Sequence, residues 1–131
     1  MIRKIVIDGN DGSGKTYRCT VLRNLFPDIE IADRGLFSDV TLDDELFCEY
    51  SSKGIASERC KKFVDKVDAE TETLFIILMT EPEIAQRRII SRGDSIDEKF
   101  HTIDDLKKYN RRFEILCGLV KDKPNVMVVK T

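Results

Sequence analysis

Between Gly9 and Thr16 the chain reads GNDGSGKT, a complete G-x-x-x-x-G-K-[ST] phosphate-binding loop. The apolar run Ile5-Val6-Ile7 leads into it, and a segment with helical periodicity follows. Strand, glycine-rich turn and helix, in that order, are the context such a loop needs. Its glycines let successive backbone N–H groups converge on a polyphosphate, and the helix N-terminus adds positive potential. Gly9, Asn10, Asp11, Gly12, Ser13, Gly14, Lys15, Thr16 and Tyr17 are therefore the candidate cofactor-binding residues. Lys15 is placed to reach the terminal phosphates, and the Thr16 hydroxyl to bind a magnesium ion. The ligand implied is a nucleoside triphosphate or something shaped like one.

The rest of the chain must build a sheet around that loop. At 131 residues it is long enough for one ordinary core, so residues 1–131 are expected to form one domain. A net charge of −2 gives no whole-protein basic footprint, which disfavours broad electrostatic binding to nucleic acid. No apolar run has membrane-spanning length, and MIRKIVIDG leads straight into a core strand without room for a signal peptide. Cys19, Cys48, Cys60 and Cys117 are scattered, form no C-x-x-C pair and lie far from the single His101. Thiolate metal binding is not expected; buried free cysteines in a reducing cytoplasm are.

Periodicity lays out the elements. Ile2 to Asp8 reads as a buried parallel strand, and Lys15 to Phe26 as a helix with Cys19, Leu22, Leu25 and Phe26 on one face. A short strand, Ile29 to Gly35, ends in Asp33-Arg34-Gly35. A loop follows, then a short helix at Asp43–Tyr50, a break at Ser51–Gly54, and a helix at Ile55–Asp68 with Ala56, Cys60, Phe63 and Val67 in its stripe. TLFIILMT, Thr73 to Thr80, is another buried strand. Pro82 opens a helix that runs to about Arg92 and ends at Gly93. Polar residues 93–101 form a loop. The last helix starts near Thr102, which with Asp105 resembles a capping box, and Val126–Val129 is the final strand. Four strands interleaved with helices require a parallel sheet with right-handed crossovers.

In such sheets ligands collect at the carboxyl ends of the strands. Asp33 sits at one of those ends and suits, through water, a hard cation between phosphates. Arg34 beside it can grip an acceptor phosphate with its fork, or the two form a simple surface ion pair at the strand end. Asp8, just before the first glycine, reads equally as a proton acceptor and as a structural acceptor for loop N–H groups. On a helical wheel Arg88 and Arg92 fall beside Ile84 and Ala85, near the buried face and aimed at an internal anion or bridged to Glu81, Glu83 or Asp94, whereas Arg87 points elsewhere. Lys107-Lys108 and Arg111-Arg112 read as a solvated face of the last helix.

Taken together, these residues resemble thymidylate kinases and the related deoxynucleoside kinases, within the phosphate-loop nucleotide kinases. IVIDGNDGSGKT is similar to the family's loop with its preceding acidic residue. Asp33-Arg-Gly-Leu-Phe-Ser38 is similar to its D-R-x-x-x-S, whose Asp serves the metal and whose Arg holds the acceptor phosphate. TLFIILMTEPEIAQRRIISRG is similar to its strand, P-E-x-A-x-x-R helix and closing R-G, which lead into a mobile lid, here about residues 88–102. Asp97-Glu98 and the helix after them resemble the post-lid segment.

The resemblance implies a three-layer α/β fold whose small parallel sheet has about four strands in the order 2-1-3-4. It also implies ATP and Mg2+ as cofactors, with Thr16 and Asp33 serving the metal. Lys15, Asp8, Arg34, Arg88 and Arg92 become the catalytic set, the last two as lid-region arginines near the transferred phosphoryl group. The partner is a small-molecule nucleotide acceptor, first a (deoxy)nucleoside monophosphate such as dTMP. Alternatives are a deoxynucleoside, a phosphorylated polynucleotide end, or nucleotide binding with little turnover. No membrane partner is expected, and assembly as a homodimer stays open. Between the first helix and Asp33 the chain carries no counterpart of the family's strand–loop–helix unit with an R-E-P-G-type acceptor motif. Family members also continue past the position of Thr131 with an adenine-contacting loop and a helix.

Overall fold

The computed structural model describes residues 1–92 and 102–131. Strand β1 (Lys4–Gly9) leads into helix α1 (Lys15–Leu25), and β2 (Glu30–Asp33) into the short α2 (Leu36–Val40). Then come α3 (Asp44–Lys53), a 3₁₀ turn (Gly54–Ala56), α4 (Glu58–Ala69), β3 (Thr73–Met79), α5 (Pro82–Ser91), α6 (Ile103–Val120) and β4 (Val126–Lys130). All four strands are parallel, in the order β2-β1-β3-β4. The expected α/β class and strand order are both observed.

Strand alternation divides the sheet's side chains between two cores. One face carries Ile5 and Ile7 of β1, Ile31 of β2 and Leu78 of β3, packed with Cys19 of α1. The other carries Val6, Phe75 and Ile77, packed with Phe37 of α2, Phe63 and Val67 of α4, and Phe113, Leu116 and Val120 of α6. Phe37 anchors this larger core: its ring stands edge-on to Phe63 at 5.1 Å and lies 5.4 Å from Phe75. The result is helix, sheet and helix in three layers.

Strand register is what assembles the site. Ile7 pairs with Asp33 and Gly9 with Leu78, so the carboxyl ends of β1, β2 and β3 lie side by side. The phosphate loop, Asp33-Arg34 and the start of α5 are thereby brought to one edge.

Several expected boundaries move, each for a visible reason. Helix α2 occupies what reads as loop, because a tertiary acceptor, the Asp8 carboxylate, receives its first N–H groups. Helix α3 continues through the expected break at Ser51-Ser52. Those hydroxyls donate back to the Phe47 and Glu49 carbonyls at 2.9 and 3.1 Å, and the helix stops only at Gly54, φ 59°. Helix α4 starts at Glu58, leaving Ile55 and Ala56 outside it, since the Ser57 hydroxyl caps Cys60 N–H at 3.2 Å. The Thr102 cap is present: its hydroxyl accepts from Asp105 N–H at 3.1 Å. Gly93 as helix end, the lid beyond Arg92, Asp97-Glu98 and His101 lie outside the described residues.

The basic run of α6 is not uniformly solvated, as its sequence implied. Arg112 is only 13% exposed; it donates to the Thr41 carbonyl and the Asp44 carboxylate, both at 2.7 Å, and lies 4.6 Å over the Phe47 ring. Among the described residues no helix is long and apolar enough to cross a membrane.

Candidate active site

Three helices start with side-chain caps, from Asp43, Ser57 and Thr102. Helix α1 does not: its cap is Gly14 at φ 88°, a left-handed conformation, with no side-chain cap. Its first N–H groups are thus left for an external acceptor. The glycines are dictated by space as well as by φ. A Cβ on Gly12 (φ 80°) would lie 2.4 Å from the Ala85 carbonyl oxygen, so α5 abuts the loop as closely as glycine permits. The Ser13 hydroxyl is buried and has no hydrogen-bond partner among the described residues. These features fit a loop built around a ligand anion.

Lys15 is buried and donates to the Gly9 and Asn10 carbonyls, both at 2.8 Å, with Asp11 4.0 Å away. Burial pushes its ammonium below the usual 10.5, opposed by the nearby Asp11 charge. Thr16 Oγ1 donates to Asp33 Oδ2 at 3.3 Å, so two exposed oxygen ligands sit together at the end of β2. That all-oxygen pair suits a hard divalent cation whose other ligands are phosphate oxygens and water.

Arg34 is not paired with its neighbour Asp33. It adopts φ 73°, a conformation that costs a non-glycine residue roughly 1–3 kcal/mol and clusters at functional sites. Its guanidinium reaches across to the Asp11 carboxylate of the phosphate loop, forming a hydrogen-bonded ion pair.

Asp8 is engaged as a structural acceptor of loop N–H groups would be. Completely buried, its carboxylate accepts from Gly35 N–H at 2.8 Å, Phe37 N–H at 3.2 Å, Ser38 N–H at 3.3 Å and the Ser38 hydroxyl. It holds the first turn of α2, and the turn holds Arg34.

A cleft of about 860 Å³ runs over the loop, lined among others by Lys15, Thr16, Tyr17, Asp33 and Arg34, with Ile84, Arg87, Arg88, Ser91 and Arg92 from α5. Arg88 is half-buried and donates to the Gly12 carbonyl at 3.3 Å. Arg92 keeps helical backbone geometry as the C-cap of α5, its N–H reaching the Arg88 carbonyl at 3.2 Å, but at that open helix end it is exposed and not beside the buried face. Arg87, expected to point elsewhere, also lines the cleft.

A second cavity, of about 290 Å³, adjoins it. Its lining comes from Gly9, Asn10, Asp11, Arg34, Ser38, Thr41, Leu42, Tyr109 and Phe113. Asp11 and Arg34 are the residues that border both spaces. Sequence reading missed this cavity. Tyr109 and Phe113 lie on the apolar stripe of α6 and read as core, and Thr41-Leu42 follow a helix the pattern did not show.

The sheet order, the loop and the crossing of α5 over it define a three-layer α/β fold built around a phosphate-binding loop. Among solved structures, the chain is similar to deoxyadenosine kinase from M. mycoides with bound dCTP. The TM-score is 0.55 at 16% identity, covering 97% of this chain and 89% of that one. The same kinase with bound dATP gives a TM-score of 0.52 at 17% identity, over 97% and 90% of the two chains. No protein-family model and no curated protein matches the chain.

Proposed function

We propose that residues 1–131 act as one kinase domain that transfers the γ-phosphoryl group of ATP to a (deoxy)nucleoside monophosphate such as dTMP. The observation that carries this reading is the meeting of two cavities at the Asp11–Arg34 pair. One cavity is the cleft over a phosphate loop. The other, about 290 Å³, lies just below the roughly 300–1,000 Å³ usual for ligand pockets, which suits one nucleotide better than a polynucleotide chain.

In this reading the triphosphate lies along Gly9 to Thr16, and Lys15 exchanges two carbonyl oxygens for phosphate oxygens. Arg34 exchanges Asp11 for the acceptor phosphate, and the half-buried Arg88 faces the transferred group, with Arg92 at the rim. Thr16 and Asp33 would hold Mg2+, which supplies charge neutralisation on the phosphates when bound. A phosphate acceptor needs no general base, in keeping with an Asp8 carboxylate already engaged by four donors. The lid is assigned to about residues 88–102. Four free cysteines, three of them buried, support a reducing, cytoplasmic setting.

A deoxynucleoside acceptor is the second reading, favoured by the likeness in fold to deoxyadenosine kinase. A hydroxyl acceptor needs a base, and Asp11 is the carboxylate in the wall of the second cavity. The test is product formation from ATP and Mg2+ with nucleosides, nucleoside monophosphates and oligonucleotide ends side by side. Diphosphate formed from a monophosphate supports the first reading, and monophosphate formed from a nucleoside the second. Tight ATP binding without turnover on any acceptor overturns both.

A further inference from the structure

The orientation of the donor in the cleft can be read from its two ends, given the triphosphate site proposed above. Lys15 and Thr16 take the terminal phosphates, and the Asp11–Arg34 pair borders the second cavity at that end. The nucleoside must therefore leave along the other side of the loop, over the first turn of α1. Tyr17 is the next residue there. It is a large aromatic left 73% exposed, so it contributes little to either core, and it lines the same cleft. It is the aromatic residue of that lining among the described residues, and Ile84, Arg87 and Ser91 of α5 share the lining with it.

We propose that the Tyr17 ring is the stacking platform for the donor base, so that the cleft prefers a purine nucleoside triphosphate. An exposed ring offers a flat π-face that purines, with the larger ring system, cover best, while contributing nothing to phosphate binding. Substituting a stacking aromatic by alanine weakens base binding about 5- to 150-fold.

The test measures binding of ATP, a pyrimidine nucleoside triphosphate and inorganic tripolyphosphate by calorimetry, each with Mg2+. The proteins are the full chain, Tyr17→Ala and Tyr17→Phe, each checked for native circular dichroism. Tyr17→Ala should bind ATP about 5- to 150-fold more weakly and lose the preference for purine. Tyr17→Phe should stay within about twofold of the parent, and tripolyphosphate should bind all three alike. Undiminished ATP binding by Tyr17→Ala refutes the stacking role, as does an equal loss of ATP and tripolyphosphate. A parent chain that binds neither overturns the phosphate-loop reading itself, and is thereby told apart from failure of the stacking role.

Discussion

Removing the Asp8 carboxylate separates a structural acid from a catalytic one. In Asp8→Ala, the N–H groups of Gly35, Phe37 and Ser38 and the Ser38 hydroxyl all lose their acceptor at a completely buried position. An unmet buried donor costs about 1–3 kcal/mol, so three unmet N–H groups set a floor of about 3 kcal/mol. The hydroxyl can turn to another acceptor, so the expected loss is about 3–5 kcal/mol, a large part of the roughly 5–15 kcal/mol that holds a domain of this kind together. Asp8→Asn is the sharper variant. Its oxygen can keep the three donors at Oδ1 while its amide confronts only Phe37 N–H, for about 2–3 kcal/mol. Urea denaturation reads both losses, and turnover under conditions where the variant remains folded reads the catalytic effect. The expected outcome is a much less stable Asp8→Asn whose folded fraction keeps turnover within about tenfold. A variant of parental stability with activity down by orders of magnitude would refute the structural role and restore Asp8 as a base.

Two further outcomes follow from the same geometry. Burial lowers the pKa of Lys15 below 10.5, so between its folded-state value and 10.5 the unfolded chain holds more protons, and stability attributable to this group rises with pH. Denaturation across that window should show a steeper rise for the parent than for Lys15→Met; parallel curves would contradict it. Arg112→Ala removes a charged hydrogen bond to the Thr41 carbonyl and a stack on Phe47, and should cost about 2–3 kcal/mol. Because Thr41 and Leu42 line the second cavity, acceptor KM should also rise while ATP affinity holds, and an unchanged urea midpoint would show that Arg112 clamps nothing.

What the sequence revealed was whatever is written in local pattern. The loop GNDGSGKT, the apolar strands on either side of the sheet's centre, Pro82 opening α5 and the Thr102 cap are short-range signals, and each is where its pattern placed it. The strand order came through resemblance, because parallel crossovers leave few alternatives once the motifs are in sequence. The rest depends on contacts distant in sequence. Helix α2 exists because Asp8, 27 residues before Gly35, receives its N–H groups. The partner of Arg34 is 23 residues away in Asp11, not next door in Asp33. Tyr109 and Phe113 fit a core stripe so well that nothing local marks them as cavity walls. Among the arginines, the wheel put Arg88 and Arg92 alike beside the buried face, whereas Arg88 is half-buried and Arg92, at the open end of α5, is exposed, since periodicity says nothing of what packs on a helix end.

In the proposed function Arg34 serves the acceptor side of a shared boundary and adds little to donor binding. Arg34→Ala, with acceptor KM from initial rates and ATP affinity from calorimetry, tests it most directly. Loss of a bidentate guanidinium–phosphate contact should raise acceptor KM by about tenfold or more, with ATP affinity within about twofold of the parent. Equal weakening of both ligands, or of ATP alone, would contradict the account.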